Sequence, residues 1–384
     1  MPVRPKVVHL TTTDMSLDWL LAPQLQAFAA AGFEVVGMSA AGPHLPHLTE
    51  LGIRHVPVPS LTRTPSPAGD VRALLELRRL LRRERPDVLH THNPKPGVLG
   101  RIAGRLAGVP VVVNTQHGLY AQPTDRLRRR LPVYALERIA AAFGHHELVQ
   151  NPEDVTTLVR TLRVPQRKVT LLGNGIDLSR FTGDRRDRKA VRAEWGVAAD
   201  QVVVGVVGRL VAEKGIAEIV AAAGLLRDRG VDATIVVVGP TEPDKRDGLT
   251  EHALDEARSN GIVFVGRRDD MPRCYAAFDV FLTATHREGF PRAAMEASAS
   301  GLPIVATDIR GCRQVVTHER TGLLVPVRNP VALADAVHRL VDDPALRSRL
   351  GAAASAKAVA EFDQQRVIDI TLATYRRLLA ATRR

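Results

Sequence analysis

Short runs of β-branched residues recur along the chain, separated by longer stretches with apolar residues at helical spacing. That alternation is the pattern of a doubly wound α/β fold. In the first half the runs predict strands over 6–10, 34–38, 54–58, 87–92, 111–115 and 147–150. Between them, residues 70–84 carry Leu74, Leu75, Leu77, Leu80 and Leu81 at helical spacing, with Arg72, Arg78, Arg79, Arg82 and Arg83 around that stripe. Pro86 and Asp87 end the helix. After Asn174-Gly175-Ile176-Asp177 the pattern restarts, with strands predicted over 201–207, 233–238, 262–265, 280–283 and 303–306 and a last helix over 364–381. Two α/β units in tandem, each of about 170–200 residues, predict two Rossmann-like domains with a ligand cleft between them. The expected boundaries are 1–177 and 178–362, followed by a helix over 363–384 that can cross back to the first domain.

Composition agrees with this pattern and narrows the partners. The chain has 384 residues, 45% apolar and only 4% aromatic, which suits helices stacked on buried parallel strands better than an aromatic-rich sandwich. A net charge of +12 raises nucleic acid, anionic lipid and phosphorylated ligands as partners. Residues 1–180 hold 23 Lys+Arg against 14 Asp+Glu, whereas residues 181–384 hold 30 against 27, so most of the surplus lies in the first half. Two cysteines, Cys274 and Cys312, make no disulfide framework and no zinc motif, which fits a reducing cytoplasm. The start of the chain lacks the apolar stretch of a signal peptide, and no run approaches the ~18 apolar residues of a membrane span. Any membrane contact is expected to be peripheral, on the inner face.

Three stretches carry candidate chemistry. In Arg287-Glu288-Gly289-Phe290-Pro291-Arg292-Ala293-Ala294-Met295-Glu296 a strand runs into a short loop, and a helix is predicted to begin near Pro291. Gly289 lets the backbone approach a ligand, and the unpaired N–H groups of a helix start form an anion site suited to a diphosphate. Glu288 then sits at the helix mouth and Glu296 about two turns along; for Glu296 a plain solvated carboxylate is the competing reading. In Gly208-Arg209-Leu210-Val211-Ala212-Glu213-Lys214-Gly215 a buried strand ends in a turn with two cations. An arginine fork and a lysine point charge can together hold a diphosphate, though two ordinary surface cations would read the same. In Asn114-Thr115-Gln116-His117-Gly118 a strand ends on a histidine placed to aim into the cleft. His90, His92 and Lys95 lie at the end of the preceding strand, as acceptor contacts or as strand-end packing.

These pieces, in this order and over nearly the whole chain, resemble the family 4 retaining glycosyltransferases of the GT-B fold. The resemblance implies that Gly208, Arg209 and Lys214 bind the diphosphate of a nucleotide-sugar donor and that Glu296 holds the ribose hydroxyls. It implies further that Glu288 holds the transferred sugar's hydroxyls, that Gly289, Phe290 and Pro291 beside it belong to the donor site, and that His117 contacts that sugar near the reacting centre. Arg267, in Gly266-Arg267-Arg268-Asp269-Asp270-Met271, would lie beside the base. Many members carry a Gly-Gly turn after the first strand, where this chain reads Thr11-Thr12-Thr13-Asp14-Met15-Ser16. Thr13 and Asp14, with His92 and Lys95, are therefore candidate acceptor contacts or helix caps.

The expected reaction moves a sugar, with N-acetylhexosamine from UDP favoured, with retention at the anomeric carbon. Arg209, Lys214 and the helix start would stabilise the leaving diphosphate, which itself accepts the acceptor proton. No cofactor is expected. No metal is expected either, since the chain has no Asp-X-Asp and the two cations can take the metal's place. The basic first half, above all Arg126-Leu127-Arg128-Arg129-Arg130-Leu131, suits an anionic membrane surface and a polyprenyl-diphosphate-linked acceptor in cell-surface polysaccharide assembly. The competing readings are a transferase for a soluble acceptor such as an aminocyclitol core, and a nucleotide-sugar epimerase on the same scaffold. Nucleic acid has no supporting motif beyond the charge.

Overall fold

A computed structural model of the protein describes residues 4–62, 64, 66–242 and 247–382. Residues 1–3 of the N-terminal stretch read above lie outside the described residues. The chain forms two compact units, one of Met1–Gly173 together with Gln365–Arg384, the other of Asn174–Gln364.

The first unit is built on seven strands: β1 (Lys6–Thr13), β2 (Glu34–Ala40), β3 (Arg54–Pro57), β4 (Val88–His92), β5 (Val111–Gln116), β6 (His146–Val149) and β7 (Val169–Leu171). They pair in the order β3-β2-β1-β4-β5-β6-β7, every pair parallel. Val88–His92 and Val111–Gln116 are buried along their whole length, as strands covered by helices on both faces must be. The order reverses between β1 and β4, where His9 stands opposite His90, and the crevice of a doubly wound sheet opens at such a reversal, beyond the carboxyl ends of the strands.

Helix Pro67–Glu84 starts three residues earlier than its leucine pattern predicts, because the Ser66 side chain accepts the Gly69 N–H and Pro67 occupies the first turn. It stops at Arg85, which takes a left-handed conformation at φ 48°. Ala73, Leu77 and Leu81 are its buried residues. Leu75 is 59% exposed, because residues two apart on a helix point about 200° from one another. The apolar stripe is thus narrower than the run of leucines suggests.

The second unit repeats the plan with β8 (Val202–Val207), β9 (Ala233–Val238), β10 (Val263–Gly266), β11 (Val280–Thr283), β12 (Ile304–Thr307) and β13 (Gly322–Val325). Their order is β10-β9-β8-β11-β12-β13, again all parallel. The reversal falls between β8 and β11. Gly205, inside β8, is where Phe278 presses on the strand; a Cβ there would lie 2.2 Å from the ring. The sequence pattern misses β7 and β13, of three and four residues, which are too short to show a period.

Helix Gln364–Thr382 follows the second unit in sequence, yet from Gln365 onward it belongs to the first. Val367, Ile368, Leu372 and Tyr375 enter one apolar cluster with Val7, Leu25, Phe28, Phe33 and Val88. Fully burying side chains of this size stabilises by roughly 1.5–3 kcal/mol each, so the helix is an integral part of the first unit's core.

Candidate active site

Both cation-bearing and carboxylate-bearing motifs of the second unit lie at its strand-order reversal. The turn after β8 holds Gly208, Arg209 and Lys214; the turn after β11 holds Glu288, Gly289, Phe290 and Pro291. Lys214 Nζ lies 2.5 Å from Glu288 Oε2, and the Thr285 hydroxyl is within 3.4 Å of the same oxygen. Arg209 Nη1 lies 2.9 Å from Glu242 Oε2. Each cation is thereby held by its own carboxylate partner.

Backbone geometry brings the two turns together. Gly215 ends the 212–214 turn at φ 70°, and a Cβ on it would stand 2.1 Å from the Ala284 carbonyl oxygen; glycine alone permits both. Gly311 does the same behind Glu288, where a Cβ would meet the Glu288 carbonyl oxygen at 2.5 Å. Pro291 is the residue just before helix Arg292–Ala299, so the helix starts one residue after the predicted position. Phe290 packs edge-on against Phe362 at 5.9 Å. The first turn of helix Arg292–Ala299, whose N–H groups have no carbonyl partner within the helix, follows directly on Glu288 and Gly289.

Glu296 is 9% exposed. Its Oε2 accepts the Tyr275 hydroxyl at 2.9 Å and its Oε1 accepts Arg292 Nε at 3.0 Å. The Arg292 contact is an i,i+4 pair that a solvated helix carboxylate also makes; the burial and the Tyr275 hydroxyl are what set that alternative aside. Burial and the neighbouring Glu296 push the Tyr275 phenol well above its usual range. Burial likewise pushes the Cys312 thiol up to about 12, with Glu288 adding to it, which leaves that sulfur inert. Arg267 is more peripheral, exposed and within 3.2 Å of Asp269 Oδ1.

In the first unit His117 follows β5, half-buried, and its Nε2 stands 3.0 Å from His92 Nδ1. His92 is buried and its Nε2 stands 3.1 Å from His9 Nδ1. Burial pushes His117 down to about 4 and His9 to about 3, and holds His90 and His92 well below the ordinary histidine range. His9, His90 and His92 bring one ring nitrogen each within 4.8 Å of one another, the one group among the described residues with the spacing of a metal site. His90, read above as either contact or packing, is packing: it bonds the Tyr375 hydroxyl and Thr115 Oγ1.

The acceptor candidates are held by their own chain. Asp14 is 3% exposed and accepts the N–H groups of Met15 at 2.9 Å and His44 at 2.8 Å. Thr13 ends β1, its carbonyl accepting the Thr11 hydroxyl at 2.8 Å. Lys95 pairs with Asp70 at 2.5 Å and donates to the Thr64 carbonyl at 2.8 Å. Sequence reasoning missed Glu242, Tyr275, His9 and Tyr375. Only His9 carried a local signal, as a polar residue inside an apolar strand.

Two family models match the chain: Glycosyltransferase Family 4 over residues 24–180 and Glycosyl transferases group 1 over residues 187–357. The protein belongs to the family 4 glycosyltransferases with the GT-B fold. It is 32% identical to the UDP-Gal:alpha-D-GlcNAc-diphosphoundecaprenol alpha-1,3-galactosyltransferase of Escherichia coli, over 80% of this chain and 79% of that one. It is also 32% identical to the D-inositol 3-phosphate glycosyltransferase of Saccharomonospora viridis, over 77% of this chain and 71% of that one. Among solved structures, Anabaena HepE in complex with UDP superposes with a TM-score of 0.80 at 21% identity, covering 96% of this chain and 99% of that one.

Proposed function

We propose that this glycosyltransferase moves a sugar from a UDP-linked donor, with retention and without a metal, to a polyprenyl-diphosphate-linked glycan in cell-surface polysaccharide assembly. The observation that carries the reading is the pairing of the 208–215 turn with Glu288 at the strand-order reversal, beside the start of helix Arg292–Ala299. In this reading the diphosphate takes the place of carboxylate oxygens on Arg209 and Lys214. Preorganised cations at a developing diphosphate charge are worth a few kcal/mol per strong donor. Glu288, released from Lys214, is then available to sugar hydroxyls, and Glu296, oriented by Tyr275 and Arg292, to the ribose. Residues 178–362 act as the donor-binding domain and residues 1–177 as the acceptor-binding domain, with Thr13, Asp14, His92 and Lys95 on the acceptor side.

The E. coli relative, named for UDP-Gal and a diphosphoundecaprenol-linked acceptor, supports donor and acceptor class. N-acetylhexosamine remains the proposed sugar, with galactose as its competitor. Helix Leu127–Phe143 supports a membrane-facing acceptor domain: Leu127, Leu131, Leu136 and Ile139 are each more than half exposed, among the exposed Arg126, Arg128 and Arg129. Apolar side chains set among arginines suit an anionic lipid surface. None of the helices is long and apolar enough to cross a membrane among the described residues; the proposed place is the cytoplasmic face.

A second reading has its own support in the D-inositol 3-phosphate relative: transfer to a soluble, phosphorylated cyclitol. A panel of nucleotide sugars, assayed with lipid-linked and soluble acceptors in the presence of a chelator, separates the two readings. The expected product is α-linked on a lipid-linked glycan at an undiminished rate; transfer only to a soluble cyclitol supports the second reading. Flotation with anionic liposomes tests the membrane surface, and binding that ignores salt and lipid charge overturns it.

A further inference from the structure

Five side chains beneath His117 form a continuous hydrogen-bonded chain inside the first unit. From the outside inward it runs from His117 Nε2 to His92 Nδ1 at 3.0 Å, and from His92 Nε2 to His9 Nδ1 at 3.1 Å. It continues from His9 Nε2 to the Tyr375 hydroxyl at 3.5 Å, then to His90 Nδ1, and from His90 Nε2 to Thr115 Oγ1 at 2.7 Å. His9, His90, His92 and Tyr375 are at most 2% exposed. The rings of His9 and His92 stack at 5.3 Å, 16° from parallel.

None of these contacts is to a carboxylate. Charging any one ring would leave a buried cation with no counter-charge, which is far costlier than keeping it neutral. A neutral imidazole has one N–H and one lone pair. Where both nitrogens are bonded, one must donate and the other accept, so the direction chosen at one end passes along the whole chain. At the inner end the Thr115 hydroxyl, 4% exposed, has His90 Nε2 as its partner; a buried hydroxyl proton needs an acceptor, so Thr115 donates and the direction of every bond outward follows. Carried to the outer end, that direction makes His117 Nε2 an acceptor and leaves its proton on Nδ1.

We propose that His92, His9 and Tyr375 are positioning residues that hold His117 as a single neutral tautomer, protonated on Nδ1 with its Nε2 lone pair turned inward. Reading inward, His92 Nδ1–H donates to His117, His9 Nδ1–H donates to His92, the Tyr375 hydroxyl donates to His9, His90 Nδ1–H donates to Tyr375, and the Thr115 hydroxyl donates to His90. All four imidazoles then carry the proton on Nδ1. A metal ion at His9, His90 and His92 would need lone pairs that these bonds already use, with no anionic ligand to offset its charge. The inference rests on the reading of His117 as a contact of the transferred sugar, which it deepens. The one lone pair of neutral His117, on Nε2, already accepts from His92, so the ring cannot take up the acceptor's proton; His117 acts as a fixed neutral contact through its Nδ1–H and the proton goes to the leaving diphosphate.

The test is 15N labelling of histidine in the full-length chain, with the His117 signals assigned by their loss in His117→Gln. Two-bond 1H–15N correlations distinguish the Nδ1–H from the Nε2–H tautomer. We expect His117 to be Nδ1–H, to become averaged or Nε2–H in His92→Phe, and to return to Nδ1–H in His92→Gln, whose amide can donate to His117. Tyr375→Phe keeps the buried ring and removes the hydroxyl; there the His9 and His92 signals are expected to average. Should His92→Phe not fold, Tyr375→Phe decides. An Nε2–H His117 in the unaltered protein, or spectra unmoved by the folded variants, overturns the proposal. In transfer assays kcat is expected to fall on the order of tenfold in His92→Phe with the donor KM unchanged, and to recover in His92→Gln. If His117→Gln leaves kcat intact, the sugar-contact reading fails while the spectra still decide the tautomer.

Discussion

Lys214 and Glu288 are 74 residues apart in sequence and 2.5 Å apart in space, the ammonium of one reversal-point turn seated on the carboxylate of the other. Taking away Lys214 removes a cation from the proposed diphosphate site and leaves Glu288 without its partner. Lys214→Ala and Arg209→Ala are each expected to lower kcat/KM for transfer by on the order of 100-fold or more. Steady-state assays with the identified donor check this, and full activity in either variant would remove that residue from the diphosphate site.

Glu296 holds its two contacts from opposite sides, Tyr275 and Arg292. Glu296→Gln keeps the shape and removes the charge, and charge-assisted hydrogen bonds are worth about 1.5–3 kcal/mol. UDP binding measured by calorimetry is expected to weaken roughly tenfold or more, since about 1.4 kcal/mol corresponds to one decade. Unchanged affinity would return the residue to a purely structural role.

Gly215→Ala combines a left-handed backbone with a Cβ aimed at the Ala284 carbonyl oxygen. Strain of this kind costs about 1–3 kcal/mol, and the two turns must also move apart. The expected outcome is a lower unfolding midpoint together with weaker donor binding. A variant as stable and as active as the parent protein would show that the turns need not approach so closely.

The buried histidines predict an acid-sensitive first unit. Burial holds His9 at about 3 and His117 at about 4, against about 6.5 in an unfolded chain. As pH falls below about 6.5 the unfolded chain gains protons that the native state does not, so stability declines down to about pH 3–4 and then levels off. Each such group contributes about 1.4 kcal/mol per pH unit across its window. Urea midpoints measured from pH 7.5 to 4.5 are expected to fall, with a shallower fall in His9→Phe; equal slopes in the two proteins would contradict this.

Arg101 is fully buried between Glu137 and Glu147, at 2.8 Å from each. Asn114 donates to Glu147 and Gln116 to Glu137, also at 2.8 Å. Removing one member of a buried ionic network costs about 3–5 kcal/mol. Arg101→Leu is expected to unfold or aggregate the first unit. An Arg101→Leu variant with parental urea and thermal midpoints would refute that role.

Much of the second unit's site was legible in sequence because its chemistry is local. A β-branched run, then Gly208-Arg209, then Lys214-Gly215 states strand, turn and cations within fourteen residues of one another, from Val202 to Gly215. Glu288, Gly289 and Pro291 likewise name a loop and a helix start in one stretch. Leu75 was misplaced because a run of leucines does not reveal which of them faces the sheet. β7 and β13 were missed because three or four residues hold too little pattern to separate a strand from a loop.

What the sequence determined by itself is most of the longer elements and the parallel, doubly wound plan, since hydrophobic period and strand-to-turn motifs are properties of neighbouring residues. Only the tertiary structure decided the partners. It seated Glu288 on Lys214, gave Glu242 to Arg209 and Tyr275 to Glu296, and stacked His9, His90 and His92 across two adjacent strands. It also brought Tyr375 from the last helix to His9, a separation of 366 residues. The two cation–carboxylate pairs are partly exposed and follow from turns meeting at the carboxyl ends of neighbouring strands. The buried contacts follow from how helices and sheet pack into a dry core, where an unpaired polar group is costly and each one must find its partner in space rather than along the chain.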